Sequence, residues 1–246
     1  MLIHGGFWRA QYGRKLMRPL AEDLVGRGWA AWNVEYRRLG RGSGGGWPTT
    51  LEDVAAAVDH LAELAGAPRR PPTVGVDSEV AGGPRDVRPA PPGRRAPLDL
   101  SRVVAIGHSA GGHLAAWAAS RGRLEAGAPG ADPRVALTGA VAQAGVVDLA
   151  LAWELGLSAG VVGELMGGSP AERPERYAVA SPAALAPAGV PVLLTHGARD
   201  DIVPLSVSEA YAAVAGCELH VEPGEDHFGH LDVRNPLWRA VVEWLA

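Results

Sequence analysis

The stretch that decides the fold is VVAIGHSAGGHLAAW, residues 103–117. A run of small and β-branched residues, Val103 to Ile106, reads as a buried strand, and Ala110 to Ser120 reads as an alanine-rich helix. Between them stands Ser109, with Gly107 two positions before it and Gly111 two positions after. A serine on so tight a strand-to-helix turn sits in unfavourable dihedrals, and side chains at its flanks would meet the adjacent strand and helix. The glycines relieve that crowding. The turn lifts the hydroxyl into the open and aims free helix N-terminal N–H groups, including that of Ala110, at whatever the oxygen attacks.

Working outward, strand and helix patterns alternate. Residues 12–27 predict an amphipathic helix with Leu16, Leu20, Leu24 and Val25 on one face, and Trp29 to Tyr36 predicts a strand. Thr49 or Thr50 caps a helix to about Ala65. Leu137 to Ala144, Pro191 to Thr195 and Cys217 to Val221 follow as strands, and Pro236 to Leu245 as a closing helix. The apolar runs at 137–144 and 191–195 lack alternation, as expected for strands covered on both faces. This order predicts an α/β fold with an open, mostly parallel sheet between helix layers.

Composition narrows the rest. The 246 residues suit one domain, 1–246, rather than two. Gly66 to Pro97 is rich in Pro, Gly and Arg and predicts a disordered insertion. Residues 148–180 exceed a simple crossover and predict a small helical cap. The net charge of −4 and scattered arginines argue against a nucleic-acid partner. The most apolar region, 135–166, is interrupted by Asp148, Glu154 and Glu164, so no membrane span is expected. Cys217 is the only cysteine, which excludes an intrachain disulfide and fits a reducing cytoplasm. The start, Met1-Leu2-Ile3-His4, does not read as a signal peptide; it resembles the last rung of a strand, with earlier sheet strands missing. A homodimer is compatible with these features.

A serine hydroxyl needs an imidazole to accept its proton and a carboxylate to orient that imidazole. Both are sought after later strands, because sites in such sheets gather at the carboxyl ends of strands. HGARDDIVP at 196–204 offers Asp200 and Asp201, and EPGEDHFGH at 222–230 offers His227 and His230. The order Ser, Asp, His is the one this sheet type uses. His4-Gly5-Gly6-Phe7 follows the first strand remnant, and its glycines allow backbone N–H groups to reach a substrate oxygen. Gly6, Phe7 and Ala110 are the expected donors. Trp8, His108 and Trp153 are candidate pocket residues, Trp8 foremost because it adjoins this loop. No metal or other cofactor is expected, since the spacing of His227, His230 and Asp232 matches no compact zinc pattern.

Four motifs together, HGGFW at 4–8, GHSAGGHLA at 107–115, HGARDDIVP at 196–204 and DHFGHLD at 226–232, resemble the α/β-hydrolase fold. Within it they resemble serine esterases with an HGG-type oxyanion motif, most closely the kynurenine formamidase (arylformamidase) and carboxylesterase-like branch. That resemblance implies Ser109 as nucleophile, Asp200 as the acid by the G-x-x-D-x-x-V-P pattern, and His227 as the base, because phenylalanine follows it. It implies a small-molecule ester or amide substrate. A dipeptidyl-peptidase-like serine peptidase, or a catalytically silent binding protein of this fold, are the alternative readings.

Overall fold

The computed structural model describes residues 1–66 and 98–246. Six parallel strands form one sheet in the order β2-β1-β3-β4-β5-β6. In chain order these are β1 (Leu2–Ile3), β2 (Asn33–Val34), β3 (Val104–His108), β4 (Gly139–Gln143), β5 (Val192–Gly197) and β6 (Glu218–Glu222). The helices are α1 (Arg18–Gly26), α2 (Thr49–Gly66), α3 (Ala110–Ala119), α4 (Leu149–Glu154), α5 (Val161–Met166), α6 (Pro174–Ala180), α7 (Leu205–Ala215) and α8 (Pro236–Trp244).

Side chains along a strand alternate between faces, and the central strands are apolar on both. Val104, Ile106, Val141 and Leu193 pack with Leu20 and Leu24 of α1 and with Trp238 and Val241 of α8. Ala105, Ala140, Ala142 and Leu194 pack on the opposite face with α2, α3 and α7. The continuous apolar runs therefore have the origin expected of them, a helix layer on each side. Small residues dominate the second face and let α3 lie close to the sheet: a Cβ on Gly112 would come 2.7 Å from the Gly145 Cα.

The helix expected over 12–27 is shorter. A 3-10 turn at Arg14–Met17 leads into α1, with Pro19 in its first turn, where proline's missing N–H costs nothing. Val25 is 58% exposed, so the apolar face is narrower than expected and Met17 completes it instead. The strand expected over 29–36 is reduced to Asn33–Val34, since β1 offers only two paired residues as neighbours. Thr50 is not a terminal cap: its hydroxyl accepts from Gly46 N–H at 3.0 Å and donates to the Arg37 carbonyl at 2.6 Å, tying the loop 37–46, which holds five glycines, to α2. The insertion expected from Gly66 lies outside the described residues beyond Gly66 itself, which ends α2. The segment expected as a cap contains α4, a 3-10 turn at Leu157–Ala159, α5 and α6. Its far end is fixed to α3, where His113 and Trp117 bond the Ala180 and Val179 carbonyls at 2.9 and 3.0 Å.

Sheet order positions the site. The chain goes from β1 outward to β2, then returns across β1 to β3, so β1 and β3 are neighbours whose connections leave in opposite directions. A crevice opens at the carboxyl ends of such a strand pair. The His4-Gly5-Gly6 loop leaves β1 there, and Ser109 leaves β3.

Candidate active site

Ser109 has φ 57° and ψ −121°, a conformation costing about 1–3 kcal/mol that the surrounding structure must hold. It is held by three backbone bonds. Ser109 N–H donates to the Gln143 carbonyl at 2.7 Å, and the Ser109 carbonyl accepts from His113 at 3.1 Å and Val146 at 3.3 Å. A Cβ on Gly107 would collide with the Gly111 carbonyl, and one on Gly111 with the Ile3 carbonyl. The spacing of glycines around the serine is thus a packing requirement on both sides of the turn.

The β1 loop abuts this elbow: a Cβ on Gly5 would come 2.7 Å from the His108 carbonyl and 2.9 Å from the Ser109 Cβ. Gly6, Phe7 and Trp8 have φ of 107°, 49° and 55°. The carbonyls of His4, Gly5 and Gly6 are each occupied, by the Tyr36 hydroxyl at 2.9 Å, the His4 ring at 2.8 Å and Arg9 N–H at 2.9 Å. In a planar trans peptide the N–H points opposite to the preceding carbonyl. Fixing those carbonyls therefore directs the Gly5, Gly6 and Phe7 N–H groups to the other side. Neither these nor Ala110 N–H, an orphan of the first turn of α3, has a backbone acceptor.

Of the two candidate acids, Asp200 is the one that meets a histidine. Its fully buried carboxylate accepts from His227 Nδ1–H at 2.7 Å through Oδ2, and from Ile202 and Val203 N–H at 2.9 and 2.8 Å through Oδ1. Burial pushes this carboxyl up, but the bonds from His196, His227 and Val203 outweigh it and hold Asp200 well below the usual carboxylate range. Asp201 is exposed. His227 rather than His230 is the partner, because the His230 ring turns inward to Thr195 Oγ1 at 3.2 Å. A bond from Nδ1–H to Asp200 leaves His227 Nε2 unprotonated in the neutral ring, the tautomer a base requires.

His108, beside the serine, donates Nε2–H to the His227 carbonyl at 2.8 Å, and the two rings lie 4.7 Å apart. The Ser109 turn and the histidine loop are thereby joined directly. Burial and the neighbouring His227 lower the His108 pKa to about 3, so this ring is neutral at pH 7. The candidate pocket residues His108 and Trp8 are both packed inward. His108 is 2% exposed and braces the His227 loop; Trp8 is fully buried, edge-on to His113 at 5.3 Å. Trp153 is 37% exposed on α4 and remains accessible. His196 escaped the sequence reading: its Nε2 sits 3.3 Å from Asp200 Oδ2 and 2.9 Å from the Val203 carbonyl, with the Ser208 hydroxyl 2.8 Å from Nδ1. The only sequence signal for it was its place in the HGARDD loop. Among the described residues, no group of three His, Cys, Asp or Glu side chains is arranged to hold a metal, and no helix is long and apolar enough to cross a membrane.

A parallel six-stranded sheet between two helix layers, with a strained serine at the β3–α3 turn, defines the α/β-hydrolase fold. Comparison with known proteins agrees. The family model BD-FAE matches residues 94–214. A truncated carbohydrate esterase from gut microbiota is similar over 99% of this chain and 82% of its own, at 21% identity and a TM-score of 0.69. A carboxylesterase from Lactobacillus plantarum covers 99% of this chain and 83% of its own, at 17% identity and a TM-score of 0.68. Thermogutta terrifontis esterase 2, in a form phosphonylated by sarin, covers 99% and 80%, at 22% identity and a TM-score of 0.65. At such identities the likeness is one of fold. No curated protein matches the sequence.

Proposed function

We propose that this protein is a serine hydrolase that cleaves carboxylic esters through an acyl-enzyme on Ser109. The observation that carries the reading is the His227–Asp200 pair, 2.7 Å between Nδ1 and Oδ2, in a loop bonded at 2.8 Å to the residue next to a strained elbow serine. His227 Nε2 takes the Ser109 proton as the oxygen attacks the carbonyl carbon. Gly6, Phe7 and Ala110 N–H groups bind the oxyanion, worth about 3–4 kcal/mol of barrier per donor in comparable sites. The imidazolium, stabilised by Asp200, returns the proton to the leaving group, and water repeats the sequence to release the acid. The chemistry asks for no metal or other cofactor.

The esterases among the similar structures support ester hydrolysis as the substrate class, and the sarin adduct of one of them is an expected reaction of an activated serine. Aryl formamides such as N-formylkynurenine form the narrower proposal, which rests on HGGFW and the other sequence motifs. A fluorophosphonate probe should label the wild type rapidly and Ser109→Ala not at all. Absence of labelling on folded wild-type protein would point to a silent scaffold. Turnover of a short-chain nitrophenyl ester against N-formylkynurenine separates general esterase from formamidase.

A further inference from the structure

We infer that Glu35 is a positioning residue of the oxyanion loop, holding His4 as a buried imidazolium that fixes the Gly5 carbonyl and so aims the Gly6 N–H. The register of the sheet creates the pair. Ile3 lies opposite Val34, and the next residues, His4 and Glu35, meet beyond the last paired rung. His4 Nε2 is 2.6 Å from Glu35 Oε1, and His4 Nδ1 is 2.8 Å from the Gly5 carbonyl. A carbonyl oxygen and a carboxylate are both acceptors without a hydrogen to give. Each contact therefore needs a proton on the ring, and the ring carries both.

The surroundings suit that charge state. The His4 side chain is fully buried and stacks on Tyr36, centroids 4.4 Å apart and planes within 10°. A buried cation requires a close counter-charge, and Glu35 provides it. Other groups keep Glu35 ionised: Arg14 N–H donates to Oε2 at 3.2 Å, Tyr36 N–H to Oε1 at 3.3 Å, and Arg38 Nε lies 3.5 Å from Oε1. Partial burial raises the Glu35 pKa, but the His4 bond and charge, with Arg14 and Arg38, outweigh it and leave it lowered. Tyr36, the next residue, holds the His4 carbonyl through its hydroxyl at 2.9 Å. Adjacent residues after β2 thus secure consecutive carbonyls of the loop, one directly and one through the His4 ring. With a neutral His4 one of the ring contacts is lost. When that contact is the one to Gly5, the Gly5–Gly6 peptide plane is free to turn and the Gly6 donor with it.

The kinetic part of this inference rests on the hydrolase reading; the protonation part does not. Histidine nitrogen NMR of the wild-type protein at neutral pH, with the His4 signals assigned by their loss in His4→Gln, should show both ring nitrogens protonated. In Glu35→Gln one of them should lose its proton, and ester turnover should fall about tenfold in kcat while KM changes less than about twofold, since the loop donors act on the oxyanion. A neutral His4 in the wild type, or a folded Glu35→Gln protein with wild-type kcat, overturns the inference. A protein without esterase activity whose His4 carries both protons supports the dyad and refutes the hydrolase reading.

Discussion

His227 Nδ1 and Asp200 Oδ2 stand 2.7 Å apart although 27 positions separate them in sequence, and the neighbouring Asp201 faces solvent. Exchanging the carboxylate for an amide removes the acceptor that fixes the His227 tautomer. Asp200→Asn is expected to lower kcat about a thousandfold or more, by analogy with serine-protease triads. Asp201→Asn should stay within about twofold. Ester hydrolysis rates for both variants check this, and equal losses would reassign the acid.

The bond from His108 to the His227 carbonyl, 2.8 Å long, is neutral and buried, and a neutral hydrogen bond contributes about 1 kcal/mol. His108→Phe should therefore cost about fivefold in kcat, short of the loss in His227→Ala, which should also abolish fluorophosphonate labelling. Because His108 titrates near 3, it should add no inflection to the pH–rate profile between pH 5 and 8. His230→Gln, altering a residue turned toward Thr195, should keep labelling intact.

Gly5→Ala tests how closely the loop after β1, proposed to carry the oxyanion donors, meets the elbow. The added carbon would lie 2.7 Å from the His108 carbonyl, a distance real Cβ atoms do not occupy, so the loop must shift. Displaced donors should cost about a hundredfold in kcat. Circular dichroism should show the fold retained, since the shift can be absorbed at the open end of the sheet.

Stability has its own charged anchor away from the site. Arg121 is 2% exposed, and its Nη2 and Nη1 reach the Asp59 carboxylate at 2.7 and 3.2 Å, tying α2 to the end of α3. Removing one partner leaves a buried charge unpaired, so Asp59→Asn should destabilise by about 3 kcal/mol in urea unfolding. Burial raises the Asp59 pKa, and the Arg121 pair with Arg134 and Val135 N–H more than offsets it, leaving the folded value below the ordinary 3.8. A depressed folded pKa gives stability that is complete above the unfolded value and is lost as pH falls through the folded one. Wild-type stability should therefore decline below about pH 4, and Asp59→Asn should show less of that decline.

The local part of this protein was legible in its residues. Gly107 and Gly111 around Ser109 encode a turn because a missing Cβ acts within a few residues, and the apolar runs at 104–106 and 192–194 encode buried strands because burial on both faces demands them. The glycines after His4 likewise marked a loop that lies close against the elbow. The resemblance pointed to Asp200 over Asp201, but physical reading of the sequence left the two open and tertiary structure placed the Asp200 carboxylate on His227; it alone decided that Trp8 and His108 face inward, that His196 stands beside Asp200, and that Glu35 meets His4. These depend on where loops from different strands come to rest across the sheet. That placement follows from the packing of both helix layers and from strand register, which no short stretch of sequence contains.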